Sequence, residues 1–117
     1  MNRHCEVKMD TEPIRVGELL RQQKATLVTA ESCTGGLIGH LVTNVSGSSD
    51  YFLGGVIAYA NQVKHERLGV RKETLDDVGA VSRETAVQMA HGVRRLLSAD
   101  YGLAVTGIAG PTGGTPA

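Results

Sequence analysis

The sequence has little of what marks several functional classes. Its two cysteines in 117 residues, Cys5 and Cys33, are too few for a disulfide framework and stand in no paired zinc-ligand spacing. Aromatic residues make up 3%, one Phe and three Tyr without a Trp. The basic residues fall in short mixed groups such as Lys64, His65 and Arg67. A single-stranded nucleic acid would find no stacking platform, so no nucleic-acid partner is expected. Charge of either sign is not in excess, with 12 basic against 12 acidic side chains, which removes the electrostatic reason to expect a polyanion. No apolar run approaches the ~18 residues of a membrane span, and the polar start "MNRHCEVKMD" lacks the apolar centre of a secretory signal. A cytoplasmic location without a membrane partner is the resulting expectation.

What is present is an ordinary globular composition, 41% apolar and 21% charged, sufficient for one hydrophobic core. Residues 1–13 read as a flexible N-terminal segment and 14–117 as the domain. Ile14, Val16, Leu19 and Leu20 predict a short helix, followed by a strand over "ATLVTA", Ala25–Ala30. "LIGHLV" continues as a helix, and the near-continuous apolar "YFLGGVIAY" reads as a central strand covered on both faces. Asn61 is placed to cap a helix through Leu68, and Ser82 to cap the longest helical pattern, packed through Ala86, Met89, Val93 and Leu97. "YGLAVTG" is a last strand that empties into the glycine-rich "IAGPTGGTPA". Helices alternating with apolar strands predict an α/β fold, a three-layer α/β/α sandwich with functional loops at the carboxyl ends of its strands. Three strands make a small sheet, and the glycine-rich end is abrupt, so the domain reads as truncated at its C-terminus or as relying on a partner.

Polar side chains gather at those strand ends: Ser32 after the first, Tyr59 near the end of the second, Thr106 at the end of the third. Gly35 and Gly36 follow Ser32 and would let backbone N–H groups approach a carbonyl oxygen. A serine hydroxyl needs a proton acceptor to become a nucleophile, and Lys64, Glu31, His40 and His65 are candidates. Lys64 has an argument of its own, because a place in the first turn of a helix sets its ammonium near the positive end of the dipole, which would lower its pKa. Against this stand plainer roles. Ser32 and Thr34 are also good helix caps, Lys64 an ordinary surface lysine, Tyr59 a strand aromatic, and Cys33 an inert packed thiol. His40 and His65 have no third ligand in a recognisable spacing, so no metal is expected. The tail matches neither a dinucleotide fingerprint nor a phosphate-binding loop, and Ser32 fits neither a nucleophile elbow nor a serine-x-x-lysine motif.

Three separated segments, "AESCTGGLIGHLVTNVSGSSDYFLGGVIAYANQVKHERLGV", "GAVSRETAVQMAHGVR" and "LAVTGIAGPTGGTP", together resemble the C-terminal domain of the CinA family, the competence/damage-inducible proteins whose stand-alone members include nicotinamide-nucleotide amidases. The resemblance runs from about Ile14 to Pro116. It implies an α/β domain that hydrolyses the carboxamide of nicotinamide mononucleotide to nicotinic acid mononucleotide and ammonia, without cofactor or metal. The family serine, tyrosine and lysine fall on Ser32, Tyr59 and Lys64. The backbone of Cys33, Thr34, Gly35 and Gly36 would hold the oxyanion, while Thr106, Gly107, Gly110, Gly113 and Gly114 would bind the nucleotide. A homo-dimer is the expected assembly. Family domains continue past the "GGTP" motif into a further strand and a final helix, so an inactive nucleotide-binding or structural domain is the alternative reading.

Overall fold

β1 (Leu27–Glu31) decides the architecture: its five residues are all buried, and it pairs in parallel with β2 (Phe52–Ile57) on one side and β3 (Tyr101–Val105) on the other. The computed structural model describes residues 3–108, with side chains from residue 11 onward. Helices α1 (Arg3–Gln23) and α2 (Leu37–Thr43) precede and follow β1, and a single 3₁₀ turn (Ser48–Asp50) leads into β2. Helices α3 (Asn61–Leu68), α4 (Lys72–Asp77) and α5 (Arg83–Leu96) connect β2 to β3. Parallel neighbours require such crossovers, because the chain must return to the starting end of the sheet before each new strand.

The period of two along β1 divides the core. Leu27 packs with Leu20, Val42 and Tyr51 on the α1–α2 side. Val28 and Ala30 pack with Leu68, Val70, Met89 and Val93 on the side of α3 and α5. Helices therefore cover both faces, as the three-layer α/β/α expectation requires. The chain leaves β1 for one neighbour and returns to the other, which opens a crevice at the carboxyl end of the central strand. Val16 and Leu19 of α1 with Tyr101 and Leu103 of β3 line an apolar groove of about 410 Å³ away from that crevice. No helix among the described residues is long and apolar enough to cross a membrane.

Several expectations need correction. β2 lies at the edge of the described sheet, not at its centre. The strand also carries a bulge: Leu27 aligns with Phe52 but Val28 with Gly54. The inserted residue, Leu53, switches the inward-facing parity, so Phe52 joins the α1–α2 cluster and Val56 the α3–α5 cluster. Gly54, with φ 145°, accommodates the backbone there. The first helix starts at Arg3 with Pro13 inside it, so part of the segment 1–13 expected to be loose has helical backbone. "EVKM" consists largely of good helix formers, which a search for an apolar stripe does not weigh. Ala60, not Asn61, occupies the N-cap of α3. Ser82 does cap α5, its Oγ accepting from Thr85 N–H at 3.1 Å, although α1 is the longer helix.

Candidate active site

β1 carries its order one residue past the strand. Ser32 N–H donates to the Val105 carbonyl at 3.0 Å, and Ala58 N–H donates to the Glu31 carbonyl at 2.7 Å. The end of the central strand is thus held from both neighbours. Alternation then sends consecutive side chains to opposite layers: Glu31 toward α2, Ser32 toward α3. Ser32 is buried.

Lys64 comes to meet it from α3. The Ala60 carbonyl accepts from Val63 and Lys64 N–H, opening the helix directly after β2, and the lysine sits at the end of its first turn. Gly69 closes the helix with φ 71°, and Val70 N–H returns to the Lys64 carbonyl at 3.1 Å. The Lys64 side chain is 1% exposed. Its Nζ donates to Ser32 Oγ at 3.0 Å and to the Tyr59 backbone carbonyl at 2.9 Å. Burial pushes the Lys64 pKa down, opposed in part by neighbouring Cys33. The helix dipole invoked from sequence is not needed for this direction; loss of water around the ammonium is the main cause. An amine so placed can take a proton from the serine it touches.

On the other side of the strand, the Glu31 carboxylate is 3% exposed and filled with donors. Oε1 accepts from Thr34 Oγ1 at 2.7 Å and Ile38 N–H at 2.8 Å; Oε2 accepts from Gly39 N–H at 2.9 Å. Burial acts to raise its pKa, but the hydrogen bonds from Gly39, Thr34, Ile38 and Gly36 together outweigh it, and the net shift is downward. Helix α2 has Gly36 at its N-cap with no side-chain cap. Neither Ser32 nor Thr34 caps it, so the plainer reading of the serine turn does not hold.

The family model described as the CinA C-terminal domain matches residues 10–117. The chain belongs to the CinA family. It is 60% identical over 103 residues to a putative competence-damage inducible protein of Halothermothrix orenii, and 60% identical over 109 residues to a CinA-like protein of Nostoc punctiforme. Those matches cover 88% and 93% of this chain but 25% and 26% of the relatives, so the chain spans about a quarter of their length. Among solved structures, the competence/damage inducible protein CihA from Agrobacterium tumefaciens superposes with a TM-score of 0.89 at 44% identity, covering 92% of this chain and 66% of that one. A CinA superfamily protein from Escherichia coli gives 0.88 at 30% identity, covering 91% and 62%.

Not every residue singled out from sequence contributes to this CinA site in the way expected. Tyr59 meets Lys64 through its carbonyl, while its ring is 76% exposed and its hydroxyl has no partner among the described residues. Thr34 spends its hydroxyl on Glu31. Gly35 and Gly36 have φ of 62° and 107°, which the turn needs and larger residues resist. The Thr106 hydroxyl donates to the Ala80 carbonyl at 2.7 Å, tying the end of β3 to the loop before α5. Gly107 passes over Cys33, where an added Cβ would lie 3.5 Å from Sγ. Gly110, Gly113 and Gly114 lie outside the described residues. His40 and His65 do not reach Ser32: His40 faces Asn44, and His65 Nδ1 lies 2.8 Å from the Val70 carbonyl. Sequence reasoning weighed Glu31 only as a base; the signal it passed over is a carboxylate ahead of a glycine turn whose helix has no capping side chain of its own.

Proposed function

We propose that this CinA-family chain is an amidohydrolase that converts nicotinamide mononucleotide to nicotinic acid mononucleotide and ammonia through Ser32. The observation that carries the reading is the buried Lys64 Nζ at 3.0 Å from Ser32 Oγ. In the neutral amine, one N–H stays on the Tyr59 carbonyl and the lone pair turns to the serine hydroxyl. Ser32 Oγ then attacks the carboxamide carbon as its proton passes to Nζ. The protonated lysine returns that proton to the nitrogen as the C–N bond breaks and ammonia departs. Water, deprotonated by the same amine, cleaves the acyl-enzyme and frees the acid and Ser32.

The tetrahedral oxyanion needs preorganised donors. Gly35 N–H is already given to the Ser32 carbonyl and Leu37 N–H to the Thr34 carbonyl. Among the described residues, Cys33 and Thr34 N–H remain for this role. The Tyr59 ring is exposed and in this reading would lie against the pyridine ring of the substrate. Gly107, which passes over Cys33, and Thr106 beside it would in this reading take the nucleotide portion.

The test is ammonia release from nicotinamide mononucleotide by the intact protein and by Ser32→Ala and Lys64→Ala. Both substitutions are expected to abolish turnover, and undiminished release in both overturns the mechanism. Mononucleotide binding without product, retained in Ser32→Ala, would instead identify a binding domain.

A further inference from the structure

The buried Glu31 carboxylate accepts from Thr34, Ile38 and Gly39, and the mechanism above does not use it. We infer that Glu31 is the positioning residue of the site, an internal anion that fastens the Ser32–Gly36 turn to helix α2 and so holds the Cys33 and Thr34 N–H groups in place about Ser32. The inference rests on the reading of Ser32 as nucleophile.

The turn is pinned at its first end by the sheet, through Ser32 N–H on Val105 and Ala58 N–H on Glu31. At its second end the backbone bonds Leu37 N–H to the Thr34 carbonyl and His40 N–H to the Gly36 carbonyl, but Gly36 offers no capping side chain. Glu31 supplies a side-chain anchor from within. Its two oxygens divide the work, Oε1 taking Thr34 Oγ1 and Ile38 N–H, Oε2 taking Gly39 N–H. Thr34, a member of the turn itself, is therefore bonded directly to the strand residue that precedes Ser32.

The surroundings are shaped for a carboxylate. A Cβ on Gly39 would approach Glu31 Oε2 to 3.4 Å. A Cβ on Gly55 would collide with Thr29 Oγ1, the hydroxyl that lies 3.5 Å from Oε2 on the same face. Two glycines thus open the space that a buried acid and its hydroxyl neighbour fill. With so many donors the acid is held ionised at neutral pH. It points away from Ser32 by the alternation of the strand, which separates it from the proton transfer. It also fills the first turn of α2, so a substrate anion is not received there.

The test uses the intact protein with Glu31→Gln and Thr34→Val, read by three measurements. A fluorophosphonate reports Ser32 reactivity without any assumed substrate, since Oγ displaces fluoride at phosphorus. Steady-state kinetics with nicotinamide mononucleotide separate kcat from KM, and a pH profile locates the base. An amide has one acceptor oxygen where the carboxylate has two, so Glu31→Gln should lower labelling and kcat roughly 10–100-fold, with KM changed by less than about threefold, as expected when an outer partner of a reacting group is lost. Its pH limb should stay where Lys64 sets it. Thr34→Val, which keeps the acid, should show a smaller loss in the same direction, and it serves as the test if Glu31→Gln does not fold. Labelling within about threefold of wild type in the folded variants overturns the inference, and so does disappearance of the pH limb in Glu31→Gln, which would make Glu31 the base. Wild-type protein that is labelled at Ser32 but releases no ammonia overturns the amidase reading alone; wild-type protein unlabelled at Ser32 overturns both.

Discussion

Lys64 lies 32 positions beyond Ser32 in the chain, yet its amine rests 3.0 Å from the serine oxygen with almost no exposure to water. The pair depends on a strand end fixed by both of its neighbours and on a helix held close to α5. Each support can be removed separately, and each removal has a distinct expected outcome.

The burial that fits Lys64 for base work is a cost to folding, because an ammonium loses its hydration there. Replacement by Met keeps the length of the side chain and removes the charge. Lys64→Met should lose about 10³-fold or more in turnover, within the range for removal of a general base. Its unfolding free energy should be unchanged or about 1 kcal/mol higher, the trade-off expected at a site under functional constraint. Urea unfolding followed by circular dichroism checks this; a large drop in the midpoint would make Lys64 a structural staple.

The pKa directions set the pH behaviour. Lys64 must be neutral to accept the serine proton, so kcat/KM should rise with pH through its depressed pKa. For stability the sign is the same. Below that pKa the amine is charged in both states and the folded state bears the full burial cost; as pH rises toward the ordinary lysine value the unfolded chain binds the extra proton, and stability increases. Glu31 acts at the acid end. Its lowered pKa gives stability that is present above the ordinary carboxyl range and lost as pH falls through the depressed value. Glu31→Gln should therefore unfold with less acid dependence than wild type, measured as urea midpoints between neutral and acid pH.

Gly92 should be intolerant of substitution. A Cβ there would run into the Leu68 backbone carbonyl at the end of α3, and a backbone group cannot move aside as a flexible side chain can. Gly92→Ala is expected to destabilise by about 3 kcal/mol, at the upper end of overpacking effects. Any folded fraction should also be slower, because α3 carries Lys64. Stability equal to wild type would mean that α3 and α5 pack further apart than described.

On the other face, the Tyr51 hydroxyl is buried beneath Gly17 of α1 without a partner among the described residues. Removing an unsatisfied polar atom relieves a desolvation penalty, so Tyr51→Phe should be neutral or stabilising by about 1 kcal/mol. Gly17→Ala alone should destabilise by about 1–3 kcal/mol through the clash with that hydroxyl. The double substitution should cost less than the sum of the two, and a thermodynamic cycle from denaturant unfolding reads the difference. Strict additivity would remove the contact from the account.

The sequence by itself determined the element order and the α/β class, and its resemblance to the family singled out Ser32 and Lys64 as candidates. The first two rest on local chemistry: apolar strands cut by glycine and a Ser82 cap. It could not place β2, since an unbroken apolar run speaks for cover on both faces but not for a central or an edge position, and only pairing with β1 decides between these. Nor could it assign Glu31, whose partners are backbone N–H groups of a helix that exists only once the turn has closed. The same limit applied to Tyr59, chosen for its hydroxyl but joined to Lys64 by its carbonyl. Local pattern specifies which groups a chain owns. The burial that depresses Lys64 and the donors that fill Glu31 are supplied by distant segments, so only the tertiary structure decided what those groups can do.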